Sequence, residues 1–318
     1  MRHQQFEFSF VVPLHNTGSM LRPLLGAFRA EAMTLRDSWE LVLVDDGSTD
    51  GTPQKARELL ADFPAPVVLV VLAKNFGEHA AVFEGWRRSH GRYVVNLDDD
   101  LQNPVSEARR LLEHLRSSDA DVAYTFFDQK KHAWWRNLAS QLANVFATLL
   151  LEKPHELYLS SFRAVRRELI QRVENHHSPF LYLDGLIFGA TNRFTRLKVI
   201  HKSRLLGCSG YTMRKLLRLA GGMIFGFSML PLRIASMLGL SLFALGLLPL
   251  GLFTADWLLF DFRQLDGLFV VGCLAVFGGM QLLLLGILGE YVGRTFLTVI
   301  NRHQVLVREV FTLREVSA

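Results

Sequence analysis

Hydrophobic positions in the first half of the chain gather into short runs separated by stretches of helical periodicity. Phe8–Val12, Glu40–Val44, Val67–Leu72 and Arg92–Leu97 are rich in Val, Leu and Phe, and each run stops at polar residues. Between them, Leu21–Ala32, Thr52–Leu60 and Ala80–Ser89 read as helices. Strands alternating with helices predict an α/β domain whose parallel sheet is covered on both faces. Sheets of this kind bind ligands beyond the carboxyl ends of their strands. The chemistry is therefore expected just after each run. Further on, residues 133–150 read as a helix and Ser160–Val173 as a strand-to-helix passage.

The pattern changes in the last third. Residues 234–255 and 267–289 contain no Asp, Glu, Lys or Arg. Each stretch exceeds the roughly 20 residues needed to cross a hydrocarbon core. Buried globular helices usually run to only about 8–20 residues, so two transmembrane helices are expected. The preceding segment, residues 212–232, reads as a helix lying at the membrane interface, or else as an ordinary surface helix. The expected organisation is thus a domain over 1–211, an interfacial helix over 212–232, two membrane helices within 233–293 and a tail over 294–318.

Charge sets the orientation. Residues 196–233 carry Arg196, Lys198, Lys202, Arg204, Arg214, Lys215, Arg218 and Arg233, with no acid. The link between the apolar stretches carries Asp256, Asp261 and Asp266 against Arg263. Positive charge stays on the cytoplasmic side, which predicts a multi-pass protein of the inner membrane with its large domain and both termini inside. The chain has 318 residues and a net charge of +5. Its basic run abuts an apolar span, so anionic lipid is the expected partner and nucleic acid is not. Gly239, Gly246 and Gly251 permit close helix packing, with the other span or with a second copy of the chain. No secretory signal is expected at the N-terminus. The two cysteines, Cys208 and Cys273, are far apart, which argues against a disulfide framework or a metal site built on them.

Each strand end carries polar residues with chemical potential. Pro13-Leu14-His15-Asn16 follows the first run, and Asp45-Asp46-Gly47-Ser48-Thr49-Asp50-Gly51-Thr52 follows the second. The second is a turn signal in which two adjacent carboxylates suit hydrogen bonds to a base and a ribose. Asp46 is also placed to cap the next helix. The third run is followed by Ala73-Lys74-Asn75-Phe76-Gly77-Glu78-His79 and the fourth by Asp98-Asp99-Asp100-Leu101-Gln102-Asn103-Pro104. Three consecutive aspartates at a buried strand end repel one another, and a cation relieves the conflict. Hard oxygen ligands suit Mg²⁺ or Mn²⁺. A solvated acidic turn is the plainer alternative.

The runs VVPLHN, LVLVDDGSTDGT, LAKNFGEHAAVFEGW and NLDDDLQNP, taken in order, resemble the signatures of glycosyltransferase family 2, and within it the polyprenyl-phosphate sugar transferases. Residues His201 to Tyr211 resemble that branch's R-x-x-G-x-S-K-Y element, and LLGILGEYVGRTF resembles its second membrane helix. The resemblance implies a GT-A, Rossmann-like catalytic domain with a C-terminal transmembrane hairpin. It implies inverting, metal-dependent transfer of a sugar from a nucleotide donor, UDP in the first instance, to undecaprenyl or another polyprenyl phosphate. The product would serve cell-envelope glycan or lipid A modification. An amino- or deoxy-sugar is expected, with glucose the alternative. It further implies Asp98, Asp100 and Gln102 at the metal, and Pro13, His15, Asp45, Asp46, Asn75, Asp98 and Asp99 around the nucleotide. Arg136, Ser140 and Arg204 would hold the acceptor phosphate. Asp100, Glu156 and Arg204 are the expected catalytic residues. The chain has His15-Asn16-Thr17 where the family usually has Tyr-Asn-Glu, and Leu157 where the branch carries an acid. Processive polysaccharide synthases usually add further spans and a Q-x-x-R-W motif, neither of which is present.

Overall fold

The apolar runs do become strands, and their alternation decides which face each residue covers. The computed structural model describes residues 6–32, 34–126, 160–175, 181–200 and 305–313, with scattered helical positions between 277 and 295. In chain order the elements are β1 (Phe6–Leu14), α1 (Leu21–Ala32), β2 (Trp39–Asp45), α2 (Thr52–Leu60), β3 (Val67–Leu72), α3 (Glu78–Arg88), β4 (Gly91–Asn96), α4 (Val105–Ser117) and β5 (Val122–Phe126). They continue with β6 (Arg163–Arg166), α5 (Arg167–Val173), α6 (Leu183–Ala190), β7 (Phe194–Lys198) and β8 (Val307–Leu313). The four expected strands and three expected helices are all present, with boundaries shifted by one or two residues.

The strands form a single sheet in the order β7-β5-β6-β4-β1-β2-β3-β8. β1 pairs in parallel with β2 and β4, and β2 with β3. The sheet is mixed rather than purely parallel, because β6 runs antiparallel to both β4 and β5, and β8 antiparallel to β3. The order reverses at β1, since β2 lies on one side and β4 on the other. In sheets of this kind ligands settle beyond the carboxyl ends of the strands, beside the point where the order reverses.

Packing follows the alternation. Phe8, Phe10, Val12 and Leu14 of β1 pack into one cluster with Leu24 and Phe28 of α1, Leu60 of α2 and Leu111 and Leu115 of α4. Val11 points to the other face, toward Phe83 and Trp86 of α3, Ile170 of α5 and Ile187 of α6. α3 lies so close to the sheet that a Cβ on Gly85 would sit 2.3 Å from Val11 Cγ1. Trp86, fully buried, donates its indole N–H to Asn96 Oδ1 at 2.7 Å, tying α3 to the end of β4.

The chain divides into two units, Met1–Lys215 with Arg302–Ala318, and Leu216–Asn301. Residues from 302 onward thus belong with the sheet, although the sequence pattern suggested only a tail there. Among the described residues no helix is long and apolar enough to cross a membrane. The expected spans do not bear on that, because residues 234–255 and most of 267–289 lie outside the described residues. So do the interfacial segment 212–232 and the helix expected over 133–150.

Candidate functional site

Four loops converge at the carboxyl ends of β1, β2, β3 and β4, and short polar side chains bolt them together. The loop after β1 is fastened to the loop after β2. Asn16 N–H donates to Ser48 Oγ at 2.9 Å, Thr17 N–H to Thr52 Oγ1 at 3.0 Å and Gly18 N–H to Asp50 Oδ2 at 2.9 Å. Asn16 Oδ1 accepts from Thr49 N–H at 2.9 Å, and Asn16 itself has a positive φ of 55°. Asn tolerates that left-handed conformation because its short polar side chain bonds locally.

The two adjacent aspartates differ in role. Asp46 is 3% exposed, and its carboxylate accepts Phe76 N–H at 2.7 Å and Gly77 N–H at 2.9 Å. It clamps the loop after β3 and does not line the cavity described next. Burial raises its pKa, and the two backbone N–H groups pull it back down. Asp45 is fully buried at the end of β2; its Oδ2 accepts Ser48 N–H at 3.1 Å. Its Oδ1 has no hydrogen-bond partner among the described residues. Burial raises Asp45 as well, with Ser48 and His15 opposing the rise.

Asp45 is one of the residues lining a cavity of about 670 Å³, with His15, Asn16, Lys74, Asn75 and Arg308 among the others. The volume is in the range of small-molecule sites. Gly47 makes the close approach of the walls possible. Its φ is +64°, and a Cβ there would lie 2.4 Å from the carbonyl carbon of Lys74. His15 acts as a strut. Its Nδ1 lies 3.0 Å from the Asp46 carbonyl, which makes Nδ1 the donor, and its Nε2 lies 3.2 Å from Asn75 Nδ2.

The acidic segment after β4 adjoins this cavity through the β1 loop. Thr17 Oγ1 donates to Asp99 Oδ2, and His15 N–H also bonds Asp99. Asp98 accepts from Ser161 Oγ at 3.0 Å, and Asp100 accepts Gln102 N–H at 3.0 Å. Leu101 between them has a φ of 56°. That backbone state costs a non-glycine residue about 1–2 kcal/mol. Its apolar side chain packs against the core beside the sheet, which holds the turn in place.

A fourth carboxylate joins from α3. Glu78 opens to solvent but sits in a recess. Desolvation raises its pKa, Arg163 opposes the rise, and Asp99, Asp184 and Asp100 add to it. Asp98 is pushed up to about 7, first by burial and then by Glu78 and Asp100, with Ser161 opposing. Among the described residues no three His, Cys, Asp or Glu side chains form a complete cation cage. The donor chemistry nevertheless fits a divalent cation held by two carboxylates and completed by ligand oxygens. The crowding of like charges is what such a cation relieves.

Behind the acids lies a buried ion pair. Arg163 is 2% exposed and donates to Asp184, which also accepts from Tyr124 Oη at 2.8 Å. Burial lowers the Arg163 pKa and the Asp184 charge outweighs that, so the net direction is up. His79 stacks edge-on against Tyr182 at 5.2 Å, and burial pushes its pKa down to about 4.

Of the residues expected from sequence, His15, Asp45 and Asn75 line the cavity. Asp98, Asp99 and Asp100 form the acidic segment beside it, with Gln102 supplying the backbone N–H to Asp100. Pro13 lies within β1, paired with Val44, and is not a lining residue. Arg136, Ser140, Glu156 and Arg204 lie outside the described residues. Thr17, Glu78, Ser161 and Arg308 were not singled out from sequence. Only Glu78 had a local signal, its position directly after the third strand's polar run.

A family model described as Glycosyl transferase family 2 matches residues 9–183. The undecaprenyl-phosphate 4-deoxy-4-formamido-L-arabinose transferase of Pectobacterium atrosepticum is 31% identical over 309 residues, covering 95% of this chain and 92% of that protein. The protein of the same name from Pseudomonas aeruginosa is 33% identical over 310 residues, covering 95% and 89%. Among solved structures, glucosyl-3-phosphoglycerate synthase of Mycobacterium tuberculosis, in complex with Mn²⁺, UDP and phosphoglyceric acid, superposes with a TM-score of 0.51 at 17% identity, over 70% of this chain and 77% of that one. Its complex with Mg²⁺ and UDP gives 0.50 at 16% identity, over 70% and 78%. These structures share the mixed α/β, Rossmann-like GT-A fold with this chain.

Proposed function

Because the chain belongs to glycosyl transferase family 2 and is a glycosyltransferase enzyme, we propose that it moves a sugar from a nucleotide donor to a polyprenyl phosphate at the membrane surface. The observation that carries this reading is the cavity with its orphan Asp45 Oδ1, coupled through His15 and Thr17 to the acidic segment Asp98–Asp100. An unpaired buried carboxylate oxygen is costly unless a ligand donor completes it. The N3–H of a uracil base is such a donor, which favours UDP. The acceptor and sugar follow the relatives: undecaprenyl phosphate, and an amino- or deoxy-sugar of the 4-deoxy-4-formamido-L-arabinose kind.

In this reading His15 and Asn75 orient the nucleotide, while Asp46 and Gly47 hold the loops that form its walls. Asp98 and Asp100, with Gln102 beside them, would hold Mg²⁺ or Mn²⁺, which supplies charge neutralisation for the departing diphosphate. One oxygen of the acceptor phosphate attacks the anomeric carbon as the bond to the donor diphosphate breaks. The nucleoside diphosphate leaves and the configuration inverts. A phosphate monoester has a second pKa near 6, so the acceptor is already anionic at neutral pH and needs little help from a general base. The enzyme's contribution is positioning and electrostatic stabilisation. Arg136, Ser140 and Arg204 would receive the acceptor phosphate, and Glu156 would orient the donor or the acceptor.

Attachment to the inner membrane, with the catalytic domain and both termini in the cytoplasm, completes the proposal. It rests on the uncharged stretches 234–255 and 267–289 and on the basic run 196–233. Helical positions between 277 and 295 also expose Phe277 at 62%, Leu285 at 63% and Val292 at 66%, side chains that lipid would cover. The test is to incubate detergent-solubilised protein with undecaprenyl phosphate, a panel of nucleotide sugars and Mn²⁺ or Mg²⁺. Mass spectrometry of the lipid identifies the sugar moved. Transfer should stop on chelation and return on adding metal. Failure to modify the lipid with any donor, in folded metal-replete protein, sinks the reading.

A further inference from the structure

The C-terminal strand β8 pairs antiparallel with β3, and its register slips at one point. Val71 lies opposite Glu309, but Leu72 lies opposite Val307, so Arg308 is an extra residue with no partner across the ladder. Beyond the slip, Ala73 N–H donates to the Leu306 carbonyl at 2.8 Å, so the pairing resumes. Regular strands send successive side chains to opposite faces. Here both Arg308 and Glu309 line the same cavity as Asp45, His15 and Asn75. A bulge is the device that re-aims a side chain in this way.

The two re-aimed residues do different things. Glu309 is engaged by Arg57 of α2, whose guanidinium also lies 5.7 Å from the Phe311 ring centroid. That contact fastens β8 to α2. Arg308 lies 4.0 Å from Glu309 and its side chain is 70% exposed, on the cavity wall. A guanidinium is a planar fork suited to anionic or carbonyl oxygens.

From this geometry, and resting on the nucleotide-donor reading above, we propose that Arg308 is a donor-binding residue, set into the nucleotide cavity by the β8 bulge and contacting phosphate or base oxygens of the nucleotide. Donor binding then depends on a strand from the far end of the chain. The interaction is made with the nucleotide in ground state and transition state alike. Its loss should therefore raise KM and leave kcat nearly unchanged.

The experiment uses the full-length protein in detergent, with UDP, UMP and uridine as probes in calorimetric titration, and transfer kinetics in parallel. Arg308→Ala is expected to weaken UDP binding about tenfold and raise donor KM to match, as for one exposed charge-assisted contact. Arg308→Lys should recover part of the loss. Thr312→Ala, on the same strand but away from the cavity, should bind as the unchanged protein does. A loss seen with UMP and UDP but not uridine assigns the contact to phosphate; a loss seen also with uridine assigns it to the base or ribose. Unchanged UDP affinity and KM in Arg308→Ala overturns the proposal. So does a fall in kcat and Tm with KM unchanged, because the residue would then only hold the strand. Absence of nucleotide binding by the unsubstituted protein would instead count against the donor reading itself.

Discussion

Asp45 and Asp46 are chemically identical neighbours, and the structure predicts opposite results for the same substitution. Asp46 accepts two backbone N–H groups of the loop after β3, from Phe76 and Gly77, in a site 3% exposed. Asn at this position keeps one acceptor oxygen and turns an NH₂ toward the other donor. One charged hydrogen bond is lost and one buried N–H is left unsatisfied, at a cost of about 2–4 kcal/mol. For a unit of this size that is a Tm fall of roughly 5–12 °C. Asp45 presents the contrary case. Its Oδ2 accepts Ser48 N–H and its Oδ1 has no partner among the described residues. An Asn there can keep its oxygen on Ser48 and put its NH₂ in the place of Oδ1. Stability should change by less than about 1 kcal/mol, while a ligand N–H that needs Oδ1 as acceptor is repelled and binds about 10- to 100-fold more weakly. The assay is thermal unfolding of both variants by intrinsic fluorescence, with UDP titrations at a temperature where both are folded. If Asp46→Asn melts with the unsubstituted protein, or Asp45→Asn loses stability and keeps its UDP affinity, the division of roles argued here is wrong.

Other substitutions test the frame around the site. Gly47→Ala places a Cβ 2.4 Å from Lys74 backbone at φ +64°. Strain and displacement together should cost about 2–4 kcal/mol, read as a lower midpoint in urea. Asp184→Asn leaves the Arg163 guanidinium buried without its counter-charge and should cost about 3–5 kcal/mol. The double variant Arg163→Met with Asp184→Leu should be more stable than Asp184→Asn, and equal or lower stability would refute the charge argument. His79 gives a pH dependence of definite sign. Burial holds its folded pKa at about 4, against 6.5 for an ordinary histidine. Between those values the unfolded chain binds more protons at this residue, so the His79 contribution is intact above pH 6.5 and falls as pH drops toward 4, by up to about 3 kcal/mol. Asp98, pushed up to about 7, contributes with the opposite sign over the same window. His79→Gln should raise the urea midpoint at pH 4–5 relative to pH 7 when set against the unsubstituted protein, and an unchanged profile would remove His79 as a contributor.

Much of the site was legible because it is local. A polar residue directly after an apolar run falls at the carboxyl end of its strand wherever that strand sits in the sheet. For this reason His15, Asp45, Asn75 and the Asp98–Asp100 run were found from sequence, and the structure brings them to one edge. Distinguishing Asp45 from Asp46 was not possible in this way, because their difference lies in which N–H groups the third loop presents. Thr17 stood out only as a departure from the family's pattern, and Ser161 not at all, for a similar reason. Each is an ordinary hydroxyl residue until folding brings it to Asp99 or Asp98.

The sequence by itself determined the α/β alternation and the strand ends that carry the acids, since both follow from side-chain periodicity within a few residues. It also marked residues 234–255 and 267–289 as uncharged, a property of composition alone. Tertiary structure alone decided the antiparallel pairing of β6 and β8, the buried Arg163–Asp184 pair and the place of Arg308 in the cavity wall. Strand pairing is a choice among distant partners, and no local pattern records which edge a strand will cover. The bulge at Arg308 exists only as a mismatch between β8 and β3, so neither strand's sequence contains it.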